Sequence, residues 1–218
     1  MNKPHPLIFV LILTLLPMAV TQAQQSELAG RVVATAGEVV AIDVNGNSRQ
    51  LARRAEVFTG DTITTSAGGM VQLRMIDAAL VSLSCNAALQ IEAYSYEEDV
   101  SVDRATLHLH SGILRTITGA IGEQDTKAYQ LHVGETRVEI LGTDFQVERN
   151  NDDTLYFATF DGATRIVNAS GSLGLGVGND GDFAVVEPGQ APVLTRIFPG
   201  RVNGLSMLNA EQILTPDC

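Results

Sequence analysis

Apolar and polar side chains alternate in short runs along most of the chain. Residues 106–110 and residues 71–75 both show a two-residue period. This period places every second side chain on one face of a β-strand. Such runs recur about every 8 to 12 residues and are separated by turns that contain glycine. The pattern predicts an all-β fold, with Asn45-Gly46 and Asp161-Gly162 as the strongest hairpin-turn signals.

The most hydrophobic run, residues 135–147, is interrupted at its centre. The apolar period holds on both sides of Gly142 and Thr143, and Phe145 is the first apolar residue beyond the break. A glycine inside a strand pattern marks a bend, a bulge or the close approach of another backbone. We therefore expect a bend at which any side chain added to Gly142 is strained or clashes. We also expect the Thr143 hydroxyl to satisfy a backbone group that the bend frees.

The residues around this break, I-L-G-T-D-F-Q-V, resemble the signature of the FecR domain, a bacterial envelope module with a V-x-G-T-x-F-x-V core. Leu141 stands before the glycine, where the family more often has arginine. Further blocks in family order extend the resemblance from about Arg31 to Ala191. The residues that it marks as a structural motif are Gly60, Asp61, Gly142, Thr143 and Phe145.

The resemblance implies a solenoid-like or sandwich-like stack of short strands. FecR regulators combine a cytoplasmic segment that controls a sigma factor, a membrane span and a periplasmic FecR domain that receives a signal from an outer-membrane transporter. Here only about 23 residues precede the domain, so we do not expect direct contact with a sigma factor. We expect a non-enzymatic scaffold or protein-interaction module with an unidentified envelope protein as partner. The alternative is a membrane-tethered signal relay related to those regulators.

The N-terminus is typical of a cleaved secretory signal peptide. Lys3 precedes an apolar run, Pro17 ends it, and small residues lead up to Ala23. Even the longer apolar stretch from Leu7 to Val20, which includes Pro17, is about 14 residues long, short of the roughly 20 that span a bilayer. We therefore assign residues 1–23 to the leader, 24–197 to a FecR-like β domain and 198–218 to a tail, in which residues 205–214 have helical spacing. This predicts a periplasmic protein, and the alternative is an anchor in the inner membrane.

The charge of the chain disfavours two classes of partner. The net charge is −11, from 14 basic and 25 acidic residues, and loss of Lys3 with the leader makes it one unit more negative. Nucleic-acid binding needs a basic stripe, and anionic lipid attracts basic segments. We expect no nucleic-acid partner, and no membrane-spanning segment after cleavage.

Patterns typical of catalytic sites are not evident in the sequence, so we expect neither catalysis nor a cofactor. His108, His110 and His132 could approach one another on neighbouring strands, as imidazoles do around zinc or copper. The alternation favours the simpler interpretation, in which His108 and His110 face solvent opposite buried leucines. We therefore assign no metal site.

Cys85 and Cys218 form an even pair. In an oxidising compartment such a pair can form a disulfide, which here would tie the last residue to the sheet. The alternative is two unpaired thiols, with Cys85 buried as a small apolar residue and Cys218 in the chain terminus. The sequence leaves both arrangements open.

We expect Cys85 and Cys218 to be linked in protein recovered from the periplasm, because that compartment favours disulfides. Thiol titration under denaturing, non-reducing conditions should find no free sulfhydryl. Detection of two free thiols per chain would exclude the bond.

Overall fold

The computed structural model describes residues 27–97 and 102–197. Over these ranges the chain is almost entirely strand and turn, which confirms the all-β fold. No helix in them has the length and apolar character needed to cross a membrane. The expected leader and the expected helix at residues 205–214 lie outside the described residues.

Fourteen strands and one short helix make up the described part of the chain. In chain order they are β1 (Leu28–Ala36), β2 (Val39–Ile42), β3 (Ser48–Gln50), β4 (Glu56–Phe58), β5 (Thr62–Thr65), β6 (Met70–Met75), β7 (Leu80–Ser95), β8 (Arg104–Ile117), α1 (Ala120–Gln124), β9 (Tyr129–Val133), β10 (Thr136–Arg149), β11 (Leu155–Asn168), β12 (Gly171–Gly176), β13 (Phe183–Val186) and β14 (Val193–Thr195).

The strands form one continuous sheet, in which four long strands change partners part-way along their length. Residues 105–109 of β8 pair with β9, whereas residues 112–117 pair with β10. The change of partners divides the sheet into two halves. The first layer contains β2, β3, β5, β9, β12 and one half each of β7, β8, β10 and β11. The second layer contains β1, β4, β6, β13, β14 and the other halves.

The two layers fold against each other around one hydrophobic core. Apolar side chains from both halves belong to a single cluster of buried residues. Thr159 and Thr164 lie on opposite sides of the bend in β11, and their buried hydroxyl oxygens are 2.6 Å apart. This contact shows that the inside of the bend is closed. The result is a sandwich-like stack, in line with the fold that the resemblance implied.

β9 inserts between β8 and β10 in the first layer only. In the second layer β8 and β10 are direct neighbours, with Ile113 paired to Glu148. In the first layer Leu131 of β9 pairs with Leu107 on one side and Val138 on the other. Because neighbouring strands lie about 4.8 Å apart, β8 and β10 separate to roughly 10 Å in the first layer. The parallel β8–β9 pairing requires a crossover, which α1 supplies.

β10 and β11 bend together where their register shifts. Gly142 and Gly162 both have positive φ, +61° and +69°. A Cβ built on Gly162 would lie 1.9 Å from the Gly142 carbonyl oxygen, whereas nothing lies within 4 Å of a Cβ built on Gly142. The steric clash expected at Gly142 is therefore located at Gly162, and the constraint on Gly142 is its backbone conformation alone.

The hairpin predicted at Asp161-Gly162 is wrong, because β11 runs through both residues without reversing direction. The turn that joins β10 to β11 is at residues 150–154. The positive φ that made Gly162 look like a turn residue instead serves the bend. The turn predicted at Asn45-Gly46 is confirmed, since it joins the paired strands β2 and β3.

Two threonines hold the bulge in β10, in a way that the sequence did not predict. The hydroxyl of Thr118 accepts a hydrogen bond from the Thr143 amide at 2.9 Å, and the Thr118 amide donates to the Thr143 carbonyl at 3.0 Å. The buried Thr143 hydroxyl itself makes no hydrogen bond within the described part of the chain. The role expected of Thr143 is thus performed by Thr118.

Asp61 and Gly60 form the turn between β4 and β5. The buried Asp61 carboxylate accepts hydrogen bonds from the Phe58 amide at 2.7 Å and from Arg49 Nη1 at 3.0 Å. Gly60 has a φ of +91°, and its amide donates to the Ile91 carbonyl at 2.7 Å. A buried carboxylate needs such donors, so these contacts connect the turn to the sheet.

Substitution of Gly142 and of Gly162 by alanine should separate the cost of backbone strain from the cost of a steric clash. Both variants impose positive φ on a residue with a Cβ, which costs about 1 kcal/mol. Gly162→Ala also brings its methyl group against the Gly142 carbonyl, so the loss should reach about 3 kcal/mol or more. The measurement is the free energy of unfolding in urea. Gly46→Ala, with φ +82° and open space around its Cβ, is the control and should match Gly142→Ala. Equal losses at Gly142 and Gly162 would contradict the assignment.

Candidate functional site

The bend in β10 and β11 exposes apolar side chains on its convex outer side. Leu141 is 62% exposed, Phe160 40% and Val177 76%. Leu141 precedes Gly142 in β10, and Phe160 precedes the bend in β11. The Val177 amide donates to the Gly162 carbonyl at 2.8 Å, which places Val177 at the same bend. We call Leu141, Phe160 and Val177 the corner surface.

The alternation of the strands explains why these side chains face solvent. Ile140 and Val138 point into the core, so Leu141 points outward from the first layer. The register pairs Leu141 with Ala163, whose small side chain leaves Leu141 uncovered. Large exposed apolar side chains close together are a feature of protein-binding surfaces.

A charged pair borders the corner surface. Arg115 donates two hydrogen bonds to Asp144, from Nε to Oδ1 at 2.9 Å and from Nη2 to Oδ2 at 2.7 Å. The Arg115 guanidinium carbon lies 4.5 Å from the centre of the Phe160 ring. Arg115 is therefore held in place by Asp144 while its flat face lies against Phe160. The arrangement positions an aromatic ring at the surface with little remaining freedom.

The part of the chain that contains this bend matches a known family. The sequence model of the FecR protein family matches residues 61–165, a range that begins at Asp61 and includes both Gly142 and Gly162. Residues 61–165 form a FecR domain. No curated protein matches the chain.

Two solved structures resemble the FecR-domain chain. Both are crystal structures of a candidate anti-sigma factor from Parabacteroides distasonis ATCC 8503. One is 14% identical with a TM-score of 0.49, and the other is 13% identical with a TM-score of 0.47. Each match covers 61% of this chain and 57% of the other, so the similarity spans just over half the length of those proteins.

Of the motif residues marked from sequence, Gly142 is exposed beside Leu141, whereas the side chains of the others contribute little to the surface of the FecR domain. Phe145 is buried in the core and the Thr143 side chain is buried at the bulge. Sequence analysis missed Phe160 and Val177 as surface residues. The sequence signals near these two residues were Gly162, Gly176 and Gly178. From the alternation alone, a glycine at a bend inside a strand cannot be distinguished from a glycine in an ordinary turn.

The three histidines lie together on the outer face of the first layer. The ring centroids of His108 and His132 are 4.8 Å apart and those of His108 and His110 are 6.4 Å apart, with nearly parallel planes. His108 Nε2 contacts the Glu92 carboxylate. Stacked rings do not direct their nitrogen atoms to one point. No group of three or more metal-ligating side chains suits a metal ion in residues 27–97 and 102–197.

Packing in this cluster affects two of the imidazoles. Partial burial lowers the pKa of His110 and of His132 below the ordinary 6.5, and the neighbouring His108 lowers both pKa values further. For His132, Arg137 also lowers the pKa while Glu92 opposes the shift. Between the lowered pKa and 6.5 the unfolded chain binds more protons than the folded one. Acidification through this range therefore favours unfolding.

A cleft of about 390 Å³ opens among the turns that follow β9, β10, β11 and β13. Two of the charges at this cleft are paired with each other, since Arg149 donates to Asp153 from Nε at 3.0 Å and from Nη2 at 2.7 Å. Ser170 donates to the Gly189 carbonyl across it at 2.9 Å. The contact of Ser170 with Gly189 joins the turn after β11 to the turn after β13. The Cys85 side chain and Cys218 lie outside the described residues, so their pairing stays a prediction.

The histidine cluster should make the FecR domain less stable in acid. His132→Gln removes one imidazole with a lowered pKa, so the variant should lose less stability than the wild type between pH 7.5 and pH 5. The measurement is the urea unfolding midpoint at both pH values. Gln130→Ala, on the same strand without a titrating group, should behave like the wild type. An unchanged pH dependence in His132→Gln would show that this histidine does not contribute.

Proposed function

We propose that this FecR-domain chain is a non-enzymatic protein-interaction module of the bacterial envelope, and that a partner protein binds it at the corner surface. The observation that carries the proposal is the exposure of Leu141, Phe160 and Val177 around the bend that bears the family signature. Monomeric proteins rarely expose large apolar side chains together unless a partner covers them.

The chemistry of the corner surface suits protein binding. Binding hot spots are rich in aromatic and arginine side chains, with apolar contacts around them. Phe160 and Arg115 supply the first two, in a geometry that Asp144 fixes before any partner arrives. A side chain that is already ordered loses less conformational entropy on binding. Leu141 and Val177 add the apolar contact area.

Three buried or half-buried carboxylates of the domain act in structural contacts, which supports a non-catalytic role. Asp61 is held by Arg49, and Asp144 by Arg115. The buried Asp77 accepts a hydrogen bond from the Tyr94 hydroxyl at 2.7 Å. Acid–base catalysis uses carboxylates that face a substrate in a pocket, whereas each of these is committed to a neighbouring group.

We further propose that residues 1–23 form a cleaved leader, that residues 24–197 form the domain and that the protein works in the periplasm. The second candidate is a signal relay tethered to the inner membrane, which the FecR domain favours because FecR regulators are such relays. The two differ in the mature N-terminus. An intact mass that starts after Ala23 supports the periplasmic module, and an intact mass that retains Met1–Ala23 supports the tethered relay.

Leu141→Glu tests the proposed binding surface. The substitution places a charge at an exposed position, so we expect the fold to persist and partner binding to weaken by at least about tenfold. The measurement is the set of envelope proteins retained by tagged variants, followed by titration with the purified partner. Val44→Glu is the matched control, because Val44 is equally exposed but lies in the β2–β3 turn. Equal retention by both variants would place the binding site elsewhere.

A further inference from the structure

Four arginine side chains line one shallow cleft beside β1 and β6 of the second layer. The cleft has a volume of about 410 Å³. Its lining consists of Arg31, Val32, Val33, Arg53, Arg54 and Arg74. The chain as a whole has a net charge of −11 and only 14 basic residues. A large share of its positive charge is therefore collected at one place, which the acidic composition does not predict.

Strand pairing places two of these arginines side by side. Arg31 of β1 is the antiparallel partner of Arg74 in β6, and both are exposed. They point away from the core, because their neighbours Val32 and Leu73 are buried in it. Like charges directly opposite each other destabilise a sheet. The fold thus holds two positive charges together although they repel each other.

The other two arginines occupy the centre of a turn that is fixed against β1. The Ala55 amide donates to the Ala52 carbonyl at 2.9 Å, which closes the turn. The Arg54 amide donates to the Val32 carbonyl at 2.8 Å, and the Val32 amide donates to the Ala55 carbonyl at 2.9 Å. Arg54 has a φ of +74°, a conformation that favours glycine. The turn therefore carries an arginine where a side chain costs stability.

Most of the positive charge at this cleft has no acidic partner. Arg31 donates to Glu56 from Nη2 at 2.7 Å. Within the part of the chain that the structure describes, Arg53, Arg54 and Arg74 form no ion pair. The chain has 25 acidic residues, so carboxylates are not scarce. The three arginines are therefore available to an anion that is not part of the sheet.

We propose that this arginine cleft, formed by Arg31, Arg53, Arg54 and Arg74, binds a phosphate group carried by a small molecule or by a lipid headgroup. A guanidinium group is planar, stays charged and offers paired N–H donors that match the oxygen atoms of a phosphate. Three unpaired guanidinium groups suit an anion with several charged oxygens, which favours phosphate over a single carboxylate.

The size and lining of the arginine cleft fit a phosphorylated small molecule. Its volume of about 410 Å³ lies within the range of about 300 to 1,000 Å³ that is usual for small-molecule sites. Val33 supplies an apolar contact for the group that carries the phosphate. A long nucleic acid would need a basic stripe, and the cleft is a single local group of charges. The inference does not rest on the proposed function, because the corner surface lies at the bend of β10 and β11.

Calorimetric titration of the full chain with inorganic phosphate tests the site, at constant ionic strength in chloride buffer. Arg74→Gln should weaken phosphate binding by at least about tenfold, because it removes charge-assisted hydrogen bonds. Arg104→Gln is the matched control and should bind like the wild type. Arg104 is an exposed arginine at the start of β8, with no ion pair among the described residues. Equal weakening by both variants would show general charge screening and overturn the proposal.

Arg54→Gly separates the stability of the turn from its use in binding. Glycine accepts a φ of +74° without strain, so in phosphate-free buffer the urea midpoint should be at least as high as in the wild type. Phosphate affinity should nevertheless fall by at least about tenfold. Because this variant stays folded, the loss of affinity reports on the arginine side chain itself. Full phosphate affinity in Arg54→Gly would overturn the proposed site.

Vesicle sedimentation identifies the source of the phosphate group. Vesicles that mix phosphatidylglycerol with phosphatidylcholine present anionic headgroups, and vesicles of phosphatidylcholine alone are the control. Retention on the anionic vesicles that Arg74→Gln abolishes assigns the site to a lipid headgroup. Binding of inorganic phosphate without such retention assigns it to a soluble phosphorylated molecule.

Two further outcomes would overturn the proposal. The first is the absence of binding both to inorganic phosphate and to the anionic vesicles. The second is a glutamate-rich peptide that binds the arginine cleft more tightly than phosphate does, since the ligand would then be an acidic protein segment.

Discussion

The contact on which the structure depends most is that of the Gly142 carbonyl with the backbone of Gly162. Four long strands belong to both layers, so each must bend sharply while its neighbours keep their hydrogen bonds. In β10 and β11 this is possible only because the carbonyl of one strand enters the space that a side chain would fill on the other. The core, the corner surface and the hydroxyl pair inside the bend all follow from that approach.

The inserted strand β9 adds an asymmetry that the bend alone would not produce. It separates β8 from β10 in one layer and not in the other, so the two layers differ in width. Their outer faces differ as well. The first layer presents histidines and paired charges to water, whereas the outer face of the second layer includes the buried side chains of Gln146 and Glu148.

The sequence predicted the parts of this structure that depend on local pattern. Period-two alternation identified the strands, and the phase change at Gly142 identified the bend in β10. It failed at Asp161-Gly162, because the same positive φ serves a tight hairpin and a bend inside a long strand, and only the partner strand decides between them. The short helix α1 was not predicted either, because the crossover to β9 is a matter of topology.

Contacts across the sheet were likewise beyond the reach of the sequence. Thr118 and Thr143 lie 25 residues apart, and neither has a local feature that shows which hydroxyl caps the bulge. The corner surface was missed for a related reason. Leu141 was visible as a departure from the family pattern, but the exposure of Phe160 depends on the direction in which β11 bends.

The irregularities of β10 and β11 at the bend compensate each other. β10 has an unpaired stretch between Leu141 and Asp144, and β11 skips a residue between the partners of Asp144 and Phe145, so the pairing returns to its original register. Loss of a single residue from β10 at the bend would invert the second half of this strand, turning Phe145 outward and bringing the carboxylate of Glu148 into the core, and loss of a residue from β11 would likewise invert one half of β11. Chain length in this segment can therefore change only by matched insertions or deletions in both strands.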